Sequence, residues 1–118
     1  MSVTDAVMRK CWIFAALALA LLVACGNKNK VKAPNPLLTE QQMVDLLTDT
    51  YLIEAELNQK RTVGEDVATL QRVYYQQVFE HYGINDTVFE ANMNYYSHDL
   101  PVLERIMDSV MNRFVVAQ

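Results

Sequence analysis

The chain has 118 residues, 52% of them hydrophobic, with ten basic and fourteen acidic side chains and a formal net charge of −4 at pH 7. That length holds one domain at most, and the acidic balance excludes the basic footprint that nucleic-acid binding requires.

The first feature in chain order is an apolar run. Cys11 to Ala24 is fourteen consecutive uncharged, almost wholly apolar residues, preceded directly by Arg9 and Lys10. A bilayer-spanning helix needs roughly 20 such residues, so the run is too short to cross and has the length of a signal-peptide core behind a positive flank. Translation is expected to start at Met8, because Asp5 and its neighbours add nothing that an export signal uses. The run ends in Leu22-Val23-Ala24-Cys25, which resembles the bacterial lipobox. There the thiol is the nucleophile that accepts a diacylglycerol as a thioether, and a small residue before it lets the signal peptidase reach the bond. The resemblance implies that residues 1–24 are removed and that lipidated Cys25 becomes the first mature residue. Acyl chains contribute about 0.8 kcal/mol per buried CH₂, enough for two or three chains to anchor the protein stably. Cys11 would leave with the signal and Cys25 would be capped, so no thiol is left for a disulfide or a metal.

Residues 25–36 read as a tether. Gly26 to Pro36, "GNKNKVKAPNP", holds three lysines, two prolines and no acid. A flexible chain of that length spans roughly 20 Å. Its lysines favour anionic headgroups by about 1 kcal/mol each. From Leu37 onward the balance reverses to five basic against thirteen acidic residues. An acidic body on a basic stalk stands off an anionic surface.

Residues 37–118 read as helical. Thr39 and Gln42 form a capping-box pattern, and Leu38 and Met43 have the spacing of a hydrophobic staple. The stripe Met43, Leu46, Leu47, Thr50, Ile53 and Leu57 predicts a helix from about Glu40 to Asn58. Glu54 falls on that stripe and is expected to pair with a tyrosine or arginine rather than to act as an acid catalyst. The polar segment Asn58 to Asp66 breaks the pattern, and Val67, Leu70, Tyr74, Val78 and Tyr82 resume it, with Tyr75 and Phe79 beside them. Gly83 followed by Ile84 fits a Schellman stop with Ile84 against Phe79. A third helix capped by Asn85, Asp86 or Thr87 carries Phe89, Met93 and Tyr96. The fourth, capped by Asp99 with Pro101 in its first turn, buries Leu103, Ile106, Met107, Val110 and Phe114. No strand-period segment competes. The predicted fold is all-α: a small bundle of about four helices, two long and antiparallel and two shorter, behind the cleaved signal and tether.

"NPLLTEQQMVDLLTDTYLIEAEL", "YYQQVFEHYGINDTVFEANMNYYSHD" and "LERIMDSVMNRF" resemble three blocks of the domain-of-unknown-function 4296 family of small Bacteroidota lipoproteins. The residues that carry the likeness are Pro36, Met43, Asp49, Tyr82-Gly83, Phe89 and Tyr95-Tyr96, and it covers about Pro36 to Phe114. The resemblance implies a lipoprotein and a bundle, and supplies no activity.

Catalytic motifs are missing from the sequence. His81 and His98 are the only histidines, no Glu-x-x-His or His-Glu-x-x-His run occurs, and there is no nucleophile elbow or glycine-rich phosphate loop. No metal and no cofactor is expected, and the chain is read as not an enzyme; the pairing to check is His81 with Glu54 or Asp49. Among the six tyrosines most fall on core stripes, and Tyr75 and Tyr95 lie off them as the candidates for a partner or ligand surface. Asp86-Thr87-Val88 and Asp108-Ser109-Val110 resemble an O-glycosylation acceptor of exported Bacteroidota proteins, with Thr87 in a turn and Ser109 inside a helix. The expected function is a membrane-anchored, non-catalytic interaction or scaffold module with an envelope protein as partner. The alternatives are a ligand- or glycan-binding lipoprotein with a tyrosine-rich surface and, behind it, a small envelope enzyme. "GNKNK" carries no acid after Cys25, unlike the surface-bound lipoproteins of that phylum, so the expected location faces the periplasm.

Overall fold

A computed structural model describes residues 2–23 and 30–118, with the side chains of 3–15 and 30–118. Cys25 and Ala24 lie outside the described residues, as do the side chains of Leu22 and Val23. The described residues hold five helices and no strand, one helix more than the expected four or so. The extra one is α1 (Ser2–Val23), in a first compact unit, Met1–Lys30. It contains the apolar run as far as Val23, and every described side chain on it is exposed, Trp12 and Phe14 among them. No helix among the described residues is long and apolar enough to cross a membrane.

The second unit, Val31–Gln118, contains α2 (Glu40–Thr62), α3 (Ala68–His81), α4 (Asp86–Ser97) and α5 (Leu100–Val116). Local chemistry sets their ends. Thr39 Oγ1 accepts from the Gln42 N–H at 3.1 Å while Gln42 Oε1 accepts from the Thr39 N–H at 2.9 Å, so two orphan donors of α2 are satisfied reciprocally. Asn85 Oδ1 accepts from Val88 N–H at 2.9 Å to start α4, and Asp99 Oδ1 accepts from Val102 N–H at 3.3 Å to start α5. Gly83, at φ 65°, ends α3: Gly83 N–H reaches Glu80 O and Ile84 N–H reaches Phe79 O, the two bonds of a Schellman turn.

One boundary differs from the sequence reading. Instead of stopping at Asn58, α2 continues through Thr62. Asn58 anchors the added turn, its side chain accepting from Arg61 at 2.7 Å and its carbonyl from the Thr62 hydroxyl at 2.9 Å. Lys60 and Arg61 sit where the carbonyl end of the helix favours cations. Gly64, at φ 86°, then makes a second Schellman turn with Glu65 N–H on Lys60 O. The polar run that reads as a break is a solvated last turn.

α2 is the central element, packed against both α3 and α5, while α4 packs on α5. Leu38, Met43, Val44, Leu46, Leu47, Tyr96, Ile106 and Val110 form one buried cluster. Full burial of an aliphatic side chain contributes about 1.5–3 kcal/mol, so Met43, Leu46, Ile106 and Val110 are its main weights. Around it lie Val78, Phe79, Ile84, Phe89, Met93, Met107 and Phe114, half-buried.

A polar residue sits inside this cluster's wall. Asn92 is wholly buried. Its Oδ1 accepts from Leu38 N–H at 2.8 Å, and its Nδ2 donates to Pro36 O at 3.0 Å and to Val88 O at 2.9 Å. The Tyr96 hydroxyl donates to Leu38 O, one turn further along α4. Three bonds from α4 to backbone atoms thus fix residues 36–38 in place. Val31 and Pro34 are half-buried in the same unit, so the segment 31–36, tether by composition, lies within the compact unit of the helices.

Replacing Asn92 with alanine strands the Leu38 N–H in the interior and takes the donor from the part-buried bond to Pro36 O, a loss of about 2–3 kcal/mol. In thermal unfolding followed by circular dichroism, Asn92→Ala is expected to lower Tm by about 10–20 °C. Glu90→Ala, on the exposed face of the same helix, is expected to move it by less than about 4 °C.

Candidate functional site

The polar side chains of the bundle are mostly committed to one another. Along the α2–α3 seam, Tyr74 donates to Glu56 Oε1 at 3.0 Å, Tyr75 to Glu54 Oε1 at 2.6 Å and Tyr82 to Asp49 Oδ2 at 2.6 Å. Partners later on α3 are earlier on α2, so the two helices are antiparallel, as their stripes predict. Glu54 is paired as expected, with Tyr75 and, at 3.9 Å, with Arg61. Burial, reinforced by the bond to Glu54 and its charge, pushes the Tyr75 hydroxyl up to about 12. Tyr82 is raised further by burial and then by Asp49, and Tyr74 is raised chiefly by its bond to Glu56. These hydroxyls are held as proton donors.

The histidines meet no carboxylate among the described residues. His81 is exposed and stands edge-on to Tyr82, with ring centroids 5.1 Å apart, while Asp49 and Glu54 are taken by tyrosines. His98 Nδ1 lies 2.7 Å from Asn94 O at the end of α4. No group of three metal-ligating side chains occurs among the described residues.

Tyr75 and Tyr95, expected at the surface, are both half-buried and belong to separate clusters. The Tyr75 ring packs at 5.9 Å on Phe79, which meets Phe89 at 5.4 Å; Tyr95 stands edge-on to Tyr96 at 5.3 Å. Tyr51, on α2, is the exposed tyrosine, at 45%. Thr87 is exposed in the first turn of α4, with its N–H on Asp86 Oδ1 at 2.8 Å, and the Ser109 hydroxyl bonds Arg105 O inside α5.

Tyr75 nevertheless borders an opening. A cleft of 430 Å³ lies between α3 and the start of α4, floored by Tyr75, Phe79 and Ile84. Its rim is Arg72, Gln76 and Glu80 from α3 with Asn85 and Asp86 from the α4 cap. Arg72 was missed by sequence reasoning. Its position one turn before Tyr75 and Gln76 and two turns before Phe79 was the available signal.

The tyrosine seam, the buried core and the Asn92 contact all lie in one stretch that family comparison also picks out. This chain belongs to the family Domain of unknown function (DUF4296). The DUF4296 match runs over residues 34–118, which includes the Pro36–Leu38 segment held by Asn92 as well as α2 to α5. Searches of curated proteins and of solved structures returned no match.

The seam makes stability depend on alkaline pH. Folded-state tyrosine pKa values lie above the unfolded value near 10, so the contribution is complete below about pH 10 and is lost as pH rises through about 12. Tm is expected to be flat to about pH 9.5 and then to fall together with the appearance of tyrosinate absorbance near 295 nm. Tyr75→Phe should start from a lower Tm and show a shallower alkaline decline.

Proposed function

We propose that the chain is a lipid-anchored lipoprotein of the bacterial cell envelope, whose acidic helical domain faces the periplasm and serves as a non-catalytic interaction module for an envelope protein. The observation that carries this reading is Leu22-Val23-Ala24-Cys25 at the end of an apolar run and directly before a basic, proline-containing stretch. Acylation of the Cys25 thiol gives the anchor. The lysines beyond it meet anionic headgroups, and the thirteen carboxylates from Leu37 onward keep the domain clear of them. The fastening of residues 36–38 to α4 suits a domain held from that end, because tension on the tether meets these hydrogen bonds, buried at Leu38, before it meets a helix end.

The non-catalytic part rests on how the titratable groups are used. Asp49, Glu54 and Glu56 accept tyrosine hydroxyls, and Glu40 and Asp45 pair with Arg105 and Arg113. A general base must reach substrate from its own position, and each of these carboxylates already holds at least one partner within the fold. Thr87 is the proposed O-glycosylation position.

Intact-mass measurement of the membrane fraction tests the anchor. The expected species begins at Cys25 and carries acyl mass, whereas Cys25→Ala carries none and leaves the membrane fraction. An added sugar mass lost in Thr87→Ala would locate the glycan. A wild-type chain that retains residues 8–24 without acyl mass would contradict the reading.

A further inference from the structure

The cleft between α3 and α4 differs from the rest of the acidic body in how its polar groups are used. Of the five cations from Leu37 onward, Lys60, Arg61, Arg105 and Arg113 each pair with a carboxylate. Arg72 pairs with none among the described residues, and it stands on the cleft rim. The other rim side chains each spend one polar atom inside the protein and keep a second. Gln76 Nε2 donates to Glu80 Oε1 at 2.8 Å, which leaves Gln76 Oε1 and Glu80 Oε2. Asn85 Oδ1 caps α4 and leaves its Nδ2, and Asp86 Oδ1 takes the Thr87 N–H and leaves Oδ2. Donors and acceptors are therefore both available, each on a side chain already held by its first bond.

The floor is equally fixed. Tyr75 is tied at its hydroxyl to Glu54, and Phe79 is set between Tyr75 and Phe89. A volume of 430 Å³ falls inside the range of about 300–1,000 Å³ of small-molecule sites. Charge narrows the ligand. One guanidinium against two carboxylates gives an anion no net attraction, and a cation must approach the guanidinium. A neutral ligand with an apolar face and several hydroxyls uses every group.

We propose that this cleft binds an uncharged saccharide, with the C–H face of one ring on Tyr75 and Phe79 and its hydroxyls shared among Arg72, Gln76, Glu80, Asn85 and Asp86. Arg72 and Asn85 donate to sugar oxygens, and Glu80 and Asp86 accept from sugar hydroxyls. The fixed floor and the rim side chains already held by one bond reduce the ordering cost of binding, while Arg72 is ordered as the ligand binds. The assignment does not rest on the lipid anchor: acylation and sugar binding can each fail alone.

The test uses the full chain in a zwitterionic detergent without a sugar head group, with saturation-transfer NMR on separate tetrasaccharide probes of glucose, N-acetylglucosamine and mannose. At least one is expected to bind saturably, with transfer strongest at ring C–H protons. Arg72→Ala and Glu80→Ala change exposed side chains outside the core and are each expected to weaken that binding about tenfold or more while Tm stays within about 4 °C. Tyr75→Phe keeps the ring and should keep the binding. A glucuronate tetrasaccharide is expected to bind more weakly than its neutral counterpart. No saturable binding of any neutral probe up to about 10 mM, binding unchanged by both rim substitutions, or a preference for the glucuronate would each overturn the proposal.

Discussion

Asn92 imposes the constraint on which the bundle's assembly depends. A primary amide without access to water must find partners for its two donors and its acceptor, and an unmet one costs about 1–3 kcal/mol. Asn92 meets this demand with the backbone of residues 36–38 and with Val88 O, and no buried side-chain polar atom among the described residues is left unpaired. The amide therefore fits only when the segment before α2 lies against α4. That placement puts Leu38 into the core, and the Thr39–Gln42 capping box then starts α2 from a fixed point. The central helix takes its origin from a side chain more than fifty residues later.

A second set of bonds divides the surface into committed and available parts. Three tyrosines of α3 and its end hold three carboxylates of α2, and Arg105 and Arg113 of α5 hold Glu40 and Asp45 on its other flank. Exposed ion pairs contribute about 0–1 kcal/mol each, so their main effect is on register rather than on stability. The seam engages carboxylates of α2 that face α3, whereas Arg72, Gln76 and Glu80 of α3 line the cleft toward α4 and keep polar atoms without a partner. Tyr75 belongs to both regions, its hydroxyl in the seam and its ring in the cleft floor.

Sequence legibility followed the range of the interaction. Thr39, Asp99 and Gly83 act within five residues, and the ends they specify were readable from residue type and spacing, whereas the start of α4 was readable only as Asn85, Asp86 or Thr87, of which Asn85 is the cap. The apolar stripes of α2 and α5 were readable because burial repeats with the helical period, and so was the pairing of Glu54 with a tyrosine or arginine. The end of α2 was not, because Asn58, Lys60 and Arg61 look like a loop until Gly64 is recognised as the residue that closes the turn. Asn92 lay on the apolar face of α4 between Phe89 and Tyr96, a visible anomaly, but its partners are backbone atoms that carry no residue-type signature. The cleft was half legible. Tyr75 stood out as an off-stripe aromatic, while the availability of Arg72 could be seen only once every other cation of the body had a partner. Tyr95, singled out on the same grounds, packs on Tyr96 in another part of the bundle.

The central claim is that residues 36–38 belong to the folded unit, with Leu38 in its core, and are held there by Asn92 and Tyr96. Native-state hydrogen exchange at the Leu38 amide measures this directly, because that N–H has a side-chain acceptor in place of a helical one. The account predicts that in the wild-type chain Leu38 exchanges as slowly as the core amides of Leu46 and Val110, through global unfolding. In Asn92→Ala it should exchange at the rate of an unprotected loop while α2 stays protected. Fast exchange of Leu38 in the wild-type chain, or protection that survives the substitution, would contradict it.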